Sequence, residues 1–351
     1  MRLRMPCLRL VAFAFPCVMA VYGQSGEYPR TPWGGYPYAA SYDAEIAAPI
    51  VHRVLFEDEH IMFIEVANPP GLDVRMHGHP YPSVFARDTG GGPTKSTGPA
   101  SAAGVPLNDT HLDPGSIFAG KGWGQGGPPA GLEFPLCTTA PPEGPHKPIN
   151  RGSVPVHFYR LEFRRLDGEG LRTHWRQWYP WMLDSGKPVA HLGLKPGLGP
   201  KLSEQWPYSR LYDSVLAAPN NYRLLYEDSH VRLLEVGVRP GETTPFHGHP
   251  YASVLAFDTA PAGSGEIVDT KLDPNSLLNG QGAGHGPPPS ILNMTAPSCM
   301  TLAPQAPHSI QNKGDAPLHY YRIEFKRVDG EAFGSHWQDW YPWMKYMKYM
   351  R

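Results

Sequence analysis

Hydrophobic and β-branched residues along this chain are grouped into short runs that end at glycine, proline or aspartate. Examples are the runs at 60–66, 82–88 and 156–163, which are rich in Val, Ile, Phe and Tyr. Runs of this kind, bounded by turn residues, are typical of β-strands. The 41 prolines and 38 glycines leave few uninterrupted windows long enough for a helix. The pattern therefore predicts an all-β protein of the sandwich or barrel type.

The same pattern of runs occurs twice. The segment RVLFEDEHIMFIEV from Arg53 matches RLLYEDSHVRLLEV from Arg223, at an offset of 170 residues (223 − 53). Further on, HFYRLEFRR from His157 matches HYYRIEFKR from His319, at an offset of 162 (319 − 157). A repeat of this length indicates two domains and not a solenoid. We place the eight-residue slip in the stretch 90–106, which is rich in Gly, Pro, Ser and Thr and reads as a surface loop.

The limits of the repeat predict the domain boundaries. We expect domain 1 over 33–182, a linker over 183–205, domain 2 over 206–344 and a short C-terminal tail over 345–351. Each copy begins near a tryptophan and has a normal size for a domain with its own core.

The first 23 residues lie outside the repeat. Arginines at positions 2, 4 and 9 precede an apolar run over 10–21, and small residues follow it. This pattern predicts a signal peptide over 1–23, because the run is shorter than the about 20 apolar residues that span a membrane. We therefore expect an exported protein, periplasmic or secreted, with no membrane association after signal removal. An N-terminal amphipathic anchor or a misassigned start codon is the alternative.

Cysteines and charge add two constraints. After the signal, only Cys137 and Cys299 remain, at equivalent places in the two copies. A disulfide between the copies is one interpretation, but the sequence offers no geometry for it, and two buried thiols are the favoured interpretation. The formal net charge is −1 and no basic cluster is present, which argues against nucleic acid or an anionic membrane as a partner.

Three histidines recur in both copies. Two form a His-Gly-His-Pro-Tyr motif, and the third stands four residues before an asparagine. They are His77, His79 and His146 in copy one and His247, His249 and His308 in copy two. The rings of a His-x-His pair on a strand share one face, and a third histidine from a neighbouring strand would complete a set of nitrogen ligands for a divalent metal. Core histidines without metal are the alternative, against which the doubled motif argues.

These motifs resemble those of the cupin superfamily, whose fold is a jelly-roll barrel or double-stranded β-helix. In that family a glycine is separated from His-x-His by five residues, and a second motif contains Pro, His and Asn. Gly71 and Gly241 fit the first position, and Asn150 and Asn312 fit the last. The resemblance covers nearly all of the chain after the signal, twice. It implies two tandem cupin-type barrels related by a pseudo-twofold axis, with a monomer or a homo-oligomer left open.

The chain departs from the family pattern at one ligand position. Where the family has a glutamate, this chain has Ser83 and Ser253. A neutral hydroxyl is a poor ligand, so the resemblance implies a site of three imidazoles with open positions for water or substrate. Such a site keeps the full charge of the metal and favours a small anionic or chelating molecule. Because three-histidine cupins include iron oxygenases, iron(II) is the favoured metal, with Mn, Ni, Cu and Zn left open.

Two functions from different classes remain. The first is an exported, cupin-type metal-dependent dioxygenase that acts on a small anionic substrate. The second is a non-catalytic metal- or ligand-binding protein, since one fold supports many functions. Both copies retain the same three histidines, so the sequence gives no reason to prefer either domain.

Two further pairs of residues recur in both copies. Tyr81 and Tyr251 directly follow the histidine strands, where a phenol could donate a proton to a bound anion, and we take them as the candidate catalytic residues. Packing is the alternative role for both. Arg160 and Glu162 alternate along one run and are interpreted as an ion pair on an exposed sheet face.

Overall fold

The structure, a computed structural model, describes residues 35–87, 107–116, 135–151, 156–164, 206–258, 267–278, 297–315 and 317–326. The expected signal peptide, linker and C-terminal tail lie outside these residues, and so do the expected domain limits at 33, 182 and 344. Those boundaries stay predictions. Among the described residues, no helix is both long enough and apolar enough to cross a bilayer.

In the first half, which we call domain 1, the described residues form two antiparallel sheets. The strands are β1 (His52–Glu57), β2 (Ile61–Asn68), β3 (His77–His79), β4 (Ser83–Arg87), β5 (Leu107–His111), β6 (Leu136–Ala140), β7 (Glu143–Asn150) and β8 (Val156–Phe163). One sheet has the order β1-β2-β8-β4-β6 and the other β3-β7-β5. A 3-10 turn over Ala40–Tyr42 and a single helical turn, α1 (Ala44–Ala47), precede them.

The second half, domain 2, repeats this arrangement. Its strands are β9 (Tyr222–Glu227), β10 (Val231–Val238), β11 (His247–His249), β12 (Ala252–Phe257), β13 (Ile267–Lys271), β14 (Ser298–Leu302), β15 (Gln305–Asn312) and β16 (Leu318–Phe325). A 3-10 turn over Arg210–Tyr212 and the helical turn α2 (Ser214–Ala217) precede them. The sheet orders are β9-β10-β16-β12-β14 and β11-β15-β13. The duplication therefore extends to every described strand.

The register of the strands confirms a slip between β4 and β5, where the stretch 90–106 lies, and corrects its size. Leu107 pairs with Asn150 as Ile267 pairs with Asn312, so β5 corresponds to β13 at an offset of 160 (267 − 107). Ten residues are thus lost between β4 and β5, and two are regained before β6. His111 is consequently the counterpart of Lys271.

The all-β class and the pairing of two sheets in each half are confirmed, but the sheets are not the closed barrels that we expected. In both domains the chain crosses from the small sheet to the large one immediately after the histidine strand. Pro80 and Pro250 occupy the position after that strand, and proline has no N–H for a ladder hydrogen bond. Each domain is therefore built from two sheets, a large one and a small one.

Both faces of the large sheets are buried along their central strands, β2, β8, β10 and β16. One face of each packs against the other domain, and the ring centroids of Phe63 and Tyr226 lie 6.2 Å apart across this interface. Tyr159 and Phe325 lie 5.8 Å apart in the same way. The rings belong to a single hydrophobic core to which β2, β4, β8, β10, β12 and β16 all contribute. The second face of each large sheet covers the interior of its own domain.

This double burial overturns the interpretation of Arg160 and Glu162 as an exposed ion pair. Both side chains are buried, at 2% and 0% exposure. They alternate on β8 with Tyr159 and Leu161, which lie in the interdomain core, so they face the interior of domain 1. When polar and apolar residues alternate along a strand, the polar face usually meets solvent. Here the second domain covers the apolar face of β8, and the polar face lies toward the interior of domain 1.

A disulfide joins Cys137 on β6 to Cys299 on β14. The two Cα atoms are 6.2 Å apart, within the range of protein disulfides. The favoured interpretation of two separate thiols is therefore wrong. Since β6 and β14 are edge strands of the two large sheets, the bond links the domains along that edge.

Candidate metal centres

The glycine between the two histidines of each motif allows the N-terminal segment to pack closely against the histidine strand. A Cβ on Gly78 would lie 2.1 Å from the hydroxyl oxygen of Tyr36, and one on Gly248 would lie 2.7 Å from Cζ2 of Trp206. The Tyr36 hydroxyl also donates to the carbonyl oxygen of Glu143 on β7, at 2.9 Å. The close approach of the N-terminal segment thus requires glycine and fixes the histidine strand against its neighbour.

The glycine and asparagine that carry the family resemblance are structural. Gly71 has φ +72° and Gly241 has φ +75°, a backbone conformation that favours glycine. The N–H of Gly71 donates to the carbonyl oxygen of Asn150 at 2.8 Å, and that of Gly241 to Asn312 at 2.7 Å. The side-chain amide of Asn150 donates in turn to the carbonyl oxygen of Asn68 at 2.8 Å. These contacts tie the turn before β3 to the end of β7.

The structure brings His77, His79 and His146 together and adds a fourth histidine. The ring centroids of His77 and His146 lie 4.8 Å apart, and those of His79 and His146 lie 5.7 Å apart. His52, the first residue of β1, lies 4.5 Å from His77 and 5.2 Å from His79. Sequence reasoning missed His52 because its counterpart in copy two is Tyr222, so it is not part of the repeated pattern.

Two groups of potential ligands overlap at this point. The ligand atoms of His52, His77 and His79 all lie within 4.8 Å of one another, and so do those of His79, Glu143 and His146. Glu143 also pairs with Arg160 at 2.6 Å. Domain 1 therefore offers a carboxylate beside its imidazoles, which the sequence prediction of a purely imidazole site did not include.

Each of the four clustered imidazoles in domain 1 is oriented by a hydrogen bond at Nδ1. The partners are the carbonyl oxygens of Ala48 for His52 (3.1 Å) and Arg75 for His77 (2.8 Å), and the carboxylates of Glu162 for His79 (2.8 Å) and Asp109 for His146 (3.0 Å). A carbonyl oxygen only accepts, so His52 and His77 carry their proton on Nδ1 and keep a lone pair on Nε2. The Nε2 of His146 is buried and has no hydrogen-bond partner among the described residues. A buried, unpartnered nitrogen of this kind fits a metal ligand.

The protonation of the cluster is also suited to metal binding. Burial lowers the pKa of His52 to about 3 and holds the pKa values of His77 and His79 well below 6.5. The rings are therefore neutral, as metal ligands must be. Burial raises the pKa of the Glu162 carboxyl to about 8, which the guanidinium of Arg160 opposes. A cation held by His79 would lower this pKa again.

A carboxylate from the neighbouring strand stands near the motif position where the family has its glutamate. Ser83 lies opposite Glu162 in the β4/β8 register, and Ser253 lies opposite Glu324 in the β12/β16 register. Glu162 reaches Nδ1 of His79. It therefore orients a histidine and does not take the place of a direct ligand.

A cavity of about 60 Å³ lies between the two sheets of domain 1 and is lined by all four histidines. Its other polar lining residues are Asn68, Arg87, Asp109, Glu143 and Arg160. Its apolar wall consists of Val51, Val66, Val74, Phe85, Pro148, Val156 and Phe158. The volume is enough for several water molecules. Burial lowers the pKa of Arg87 to about 9, so an anion in the cavity would stabilise this cation.

The predicted catalytic tyrosines are not among the residues that line this cavity. The Tyr81 ring packs against the guanidinium of Arg164, with 5.8 Å from its centroid to Cζ, and the Tyr251 ring packs against Arg232 at 5.0 Å. Burial raises the pKa of Tyr81 to about 12. A catalytic role for either residue stays a prediction.

The three predicted ligands of domain 2 also lie together. The ring centroids of His247 and His249 are 5.3 Å apart, and the ligand atoms of His247, His249 and His308 lie within 4.8 Å of one another. Nδ1 of His247 donates to the carbonyl oxygen of Pro245 (2.7 Å), and Nδ1 of His308 to that of Ala306 (2.8 Å). Burial lowers the pKa of His247 and that of His308 to about 3.

The surroundings of this second cluster differ from those in domain 1. Tyr222 stands where domain 1 has His52, and its hydroxyl lies 2.7 Å from Nε2 of His247. Gln305 replaces Glu143 and accepts a hydrogen bond from Arg322 at 2.9 Å. The described part of domain 2 therefore has no counterpart to the fourth histidine or to the carboxylate beside it.

Comparisons with known proteins give distant likenesses. No protein-family profile matches the chain, and no curated protein matches it. Among solved structures, a cupin domain from Bordetella pertussis Tohama I is 18% identical, covers 30% of this chain and 92% of its own, and has a TM-score of 0.22. A salicylate 1,2-dioxygenase from Pseudaminobacter salicylatoxidans is 12% identical over 77% of this chain and 72% of its own, with a TM-score of 0.19. AerE from Microcystis aeruginosa is 10% identical over 78% of this chain and 97% of its own, also at 0.19.

At these TM-scores the activities of those proteins are not transferred to this chain. The resemblance to two-domain cupins rests on residues of the chain itself: the doubled histidine motif, the glycine and asparagine that brace it, and the pair of facing sheets in each half.

Proposed function

We propose that this protein is an exported metal-dependent oxygenase that binds a divalent metal in domain 1 and acts there on a small anionic molecule. One observation carries the proposal: a cluster of four imidazoles lines a cavity, with Nδ1 of each occupied by a hydrogen bond, and His52, His77 and His79 are buried and neutral. Imidazole nitrogens suit iron(II), and also Mn, Ni, Cu and Zn. When bound, iron(II) would supply open positions for substrate and dioxygen.

The other residues of the cavity support a small anionic substrate. The Arg87 guanidinium faces the same cavity as the histidines and would bind a carboxylate or an enolate through charge-assisted hydrogen bonds. Phe85 and Phe158 form part of an apolar wall that would exclude water and orient a planar molecule between the cation and the histidines.

Metal analysis combined with oxygen uptake tests this function. Protein loaded anaerobically with Fe(II) is expected to retain the metal after desalting and to consume oxygen with at least one of a panel of small diketones, thiols and phenolic acids. Arg87→Leu is expected to reduce oxygen uptake with the anionic compounds of the panel by about tenfold or more. Stoichiometric metal without oxygen uptake for any compound would instead support the non-catalytic binding protein. Absence of metal, with stability unaffected by a chelator, would contradict both.

Export is the second part of the proposal, and the disulfide supports it. Bonds such as the one between Cys137 and Cys299 persist in oxidising compartments and are rare in the cytosol. We expect the mature protein to begin after position 20 or 23 and to carry no free thiol. Export would be contradicted if protein recovered from the cell interior kept its N-terminus at Met1 and if Cys137 and Cys299 both reacted with a thiol reagent.

A further inference from the structure

We propose that metal binding is confined to domain 1, where His52 is a fourth histidine ligand, and that Tyr222 closes the equivalent cluster in domain 2. This inference rests on the metal binding proposed above and adds which of two similar clusters binds. The chain repeats the three motif histidines without change, so the choice between the domains depends on residues outside the motif.

His52 and Tyr222 occupy the same place relative to their clusters. The His52 ring lies 4.5 Å from His77 and 5.2 Å from His79, and the Tyr222 ring lies 4.5 Å from His247 and 5.1 Å from His249. Both residues are buried. One domain therefore presents an imidazole to the cluster at a point where the other presents a phenol.

The phenol occupies a nitrogen that a metal would need. Nδ1 of His247 donates to the carbonyl oxygen of Pro245, so Nε2 carries the lone pair, and the Tyr222 hydroxyl donates to it at 2.7 Å. A metal would have to displace this buried hydrogen bond. Displacing it would leave the buried phenol hydroxyl without its acceptor, which weakens binding of a metal there.

A second replacement in domain 2 supports the closed arrangement. Tyr320, whose counterpart in domain 1 is Phe158, lies with Tyr222 in one buried hydrophobic cluster. Phe158 has no hydroxyl and lines the cavity beside His52. Two positions beside the cluster thus differ between the domains, and the Tyr222 ring that caps the histidine is packed in a buried cluster.

The charges around the two clusters point the same way. A carboxylate oxygen of Glu143 lies within 4.8 Å of a ring nitrogen of His79, and domain 2 has the neutral Gln305 at the equivalent position. Lys271 stands opposite His308 in the strand register, where His111 stands opposite His146 in domain 1. The Lys271 ammonium pairs with the carboxylate of Asp269 at 2.5 Å, so the carboxylate lost at Gln305 is the change in charge that disfavours a divalent ion in domain 2.

A reciprocal exchange at this one position tests the inference. Full-length, metal-free protein would be titrated anaerobically with Co²⁺ and with Fe²⁺, and the bound metal counted by elemental analysis after gel filtration. The native chain is expected to hold about one metal, Tyr222→His about two, and His52→Tyr close to none. Circular dichroism and the unfolding temperature identify any variant that fails to fold. Should His52→Tyr not fold, the gain in Tyr222→His tests the proposal alone.

Tyr222→Phe is the matched control, because it removes the capping hydroxyl without supplying an imidazole. It is expected to stay at about one metal per chain. A second metal bound as tightly in Tyr222→Phe as in Tyr222→His would show that the fourth histidine is not a ligand and would overturn that part. Two equivalent metals in the native chain would overturn the confinement to domain 1 and leave the proposed function standing. No metal in any variant would overturn both.

Discussion

Domain 1 and domain 2 have the same strands in the same order, yet their interiors are used differently. Between its sheets domain 1 has a cavity lined by His52, Arg87 and Glu143. At the equivalent positions domain 2 has Tyr222, Phe257 and Gln305, and the first two are buried in a hydrophobic cluster. The glycines and asparagines that the backbone requires are present in both copies. The residues that line the proposed ligand site, His52, Arg87 and Glu143, are present only in domain 1.

The described part of domain 2 contains a larger cluster of buried hydrophobic residues than the equivalent part of domain 1. Its cluster of buried residues comprises Val215, Ala218, Tyr222, Leu234, Val236, Val238, Leu255, Phe257, Leu318 and Tyr320. The corresponding cluster in domain 1 comprises Met62, Ile64 and Val66, with Phe158 packed against them. A site that must hold a ligand cannot also be filled with side chains, so binding and packing compete for the same space. We expect domain 2 to contribute stability and domain 1 to contribute chemistry.

The largest effect is expected where the domains do not differ, at their shared interface. Phe63 and its counterpart Leu233 lie in the interdomain core and are fully buried. Phe63→Ala should reduce the free energy of unfolding by about 3–5 kcal/mol and Leu233→Ala by about 2–5 kcal/mol, because each leaves a cavity in that core. Denaturant unfolding followed by fluorescence and by circular dichroism measures both.

The exposed Leu277 provides the control for these substitutions, and Leu277→Ala should change stability by less than about 0.5 kcal/mol. Both core variants should keep a single transition with coincident probes, because the core belongs to both domains. Two separate transitions, with only one of them moved by Phe63→Ala, would show that the domains unfold independently.

The next largest effect is the gain in the free energy of unfolding on metal binding, which we expect to depend on domain 1 and not on domain 2. Metal present at about 100 times its Kd should raise the free energy of unfolding by about 2.7 kcal/mol, and a chelator should abolish the increase. His79→Ala should eliminate this response, whereas His249→Ala should retain it. The shift between metal-loaded and chelated protein is compared within each variant, so the cost of the substitution itself cancels. An equal loss of response in both variants would mean that the two clusters bind alike.

The smallest expected effect is the difference in the free energy of unfolding when the same substitution is made at equivalent positions of the two domains. Val66 lines the cavity of domain 1, and Val236 is its counterpart in the packed cluster of domain 2. Val236→Ala should cost about 2 kcal/mol and Val66→Ala about 1 kcal/mol, because a side chain beside an existing cavity loses fewer packing contacts. Chemical denaturation of the metal-free protein measures the difference. Equal costs would argue that the two interiors are packed alike.

Features of this protein that depend on neighbours along the chain could be predicted from the sequence. The all-β class follows from short apolar runs between turn residues, and the two-domain arrangement follows from the repeat. The six motif histidines lie together in their domains because a His-x-His pair on a strand presents both rings to one side. Gly71 and Gly241, the glycines of the motif, have a positive φ that favours glycine at these positions.

Features that depend on contacts between distant residues were decided only by the tertiary structure. His52 joins the cluster because β1 brings it beside His77, 25 residues along the chain (77 − 52). Glu162 orients His79 from 83 residues away. The burial of Arg160 has the same origin, since a second domain covers the other face of its strand.

The sequence by itself thus determined two copies of one β domain with a histidine cluster in each. The tertiary structure decided that these clusters are unlike and that Cys137 meets Cys299 across the domains. The physical reason is that a strand pattern records which residues share a face, whereas packing between sheets determines what that face meets. A single position, His52 in one domain and Tyr222 in the other, carries much of the difference, and no local pattern in the chain marks it.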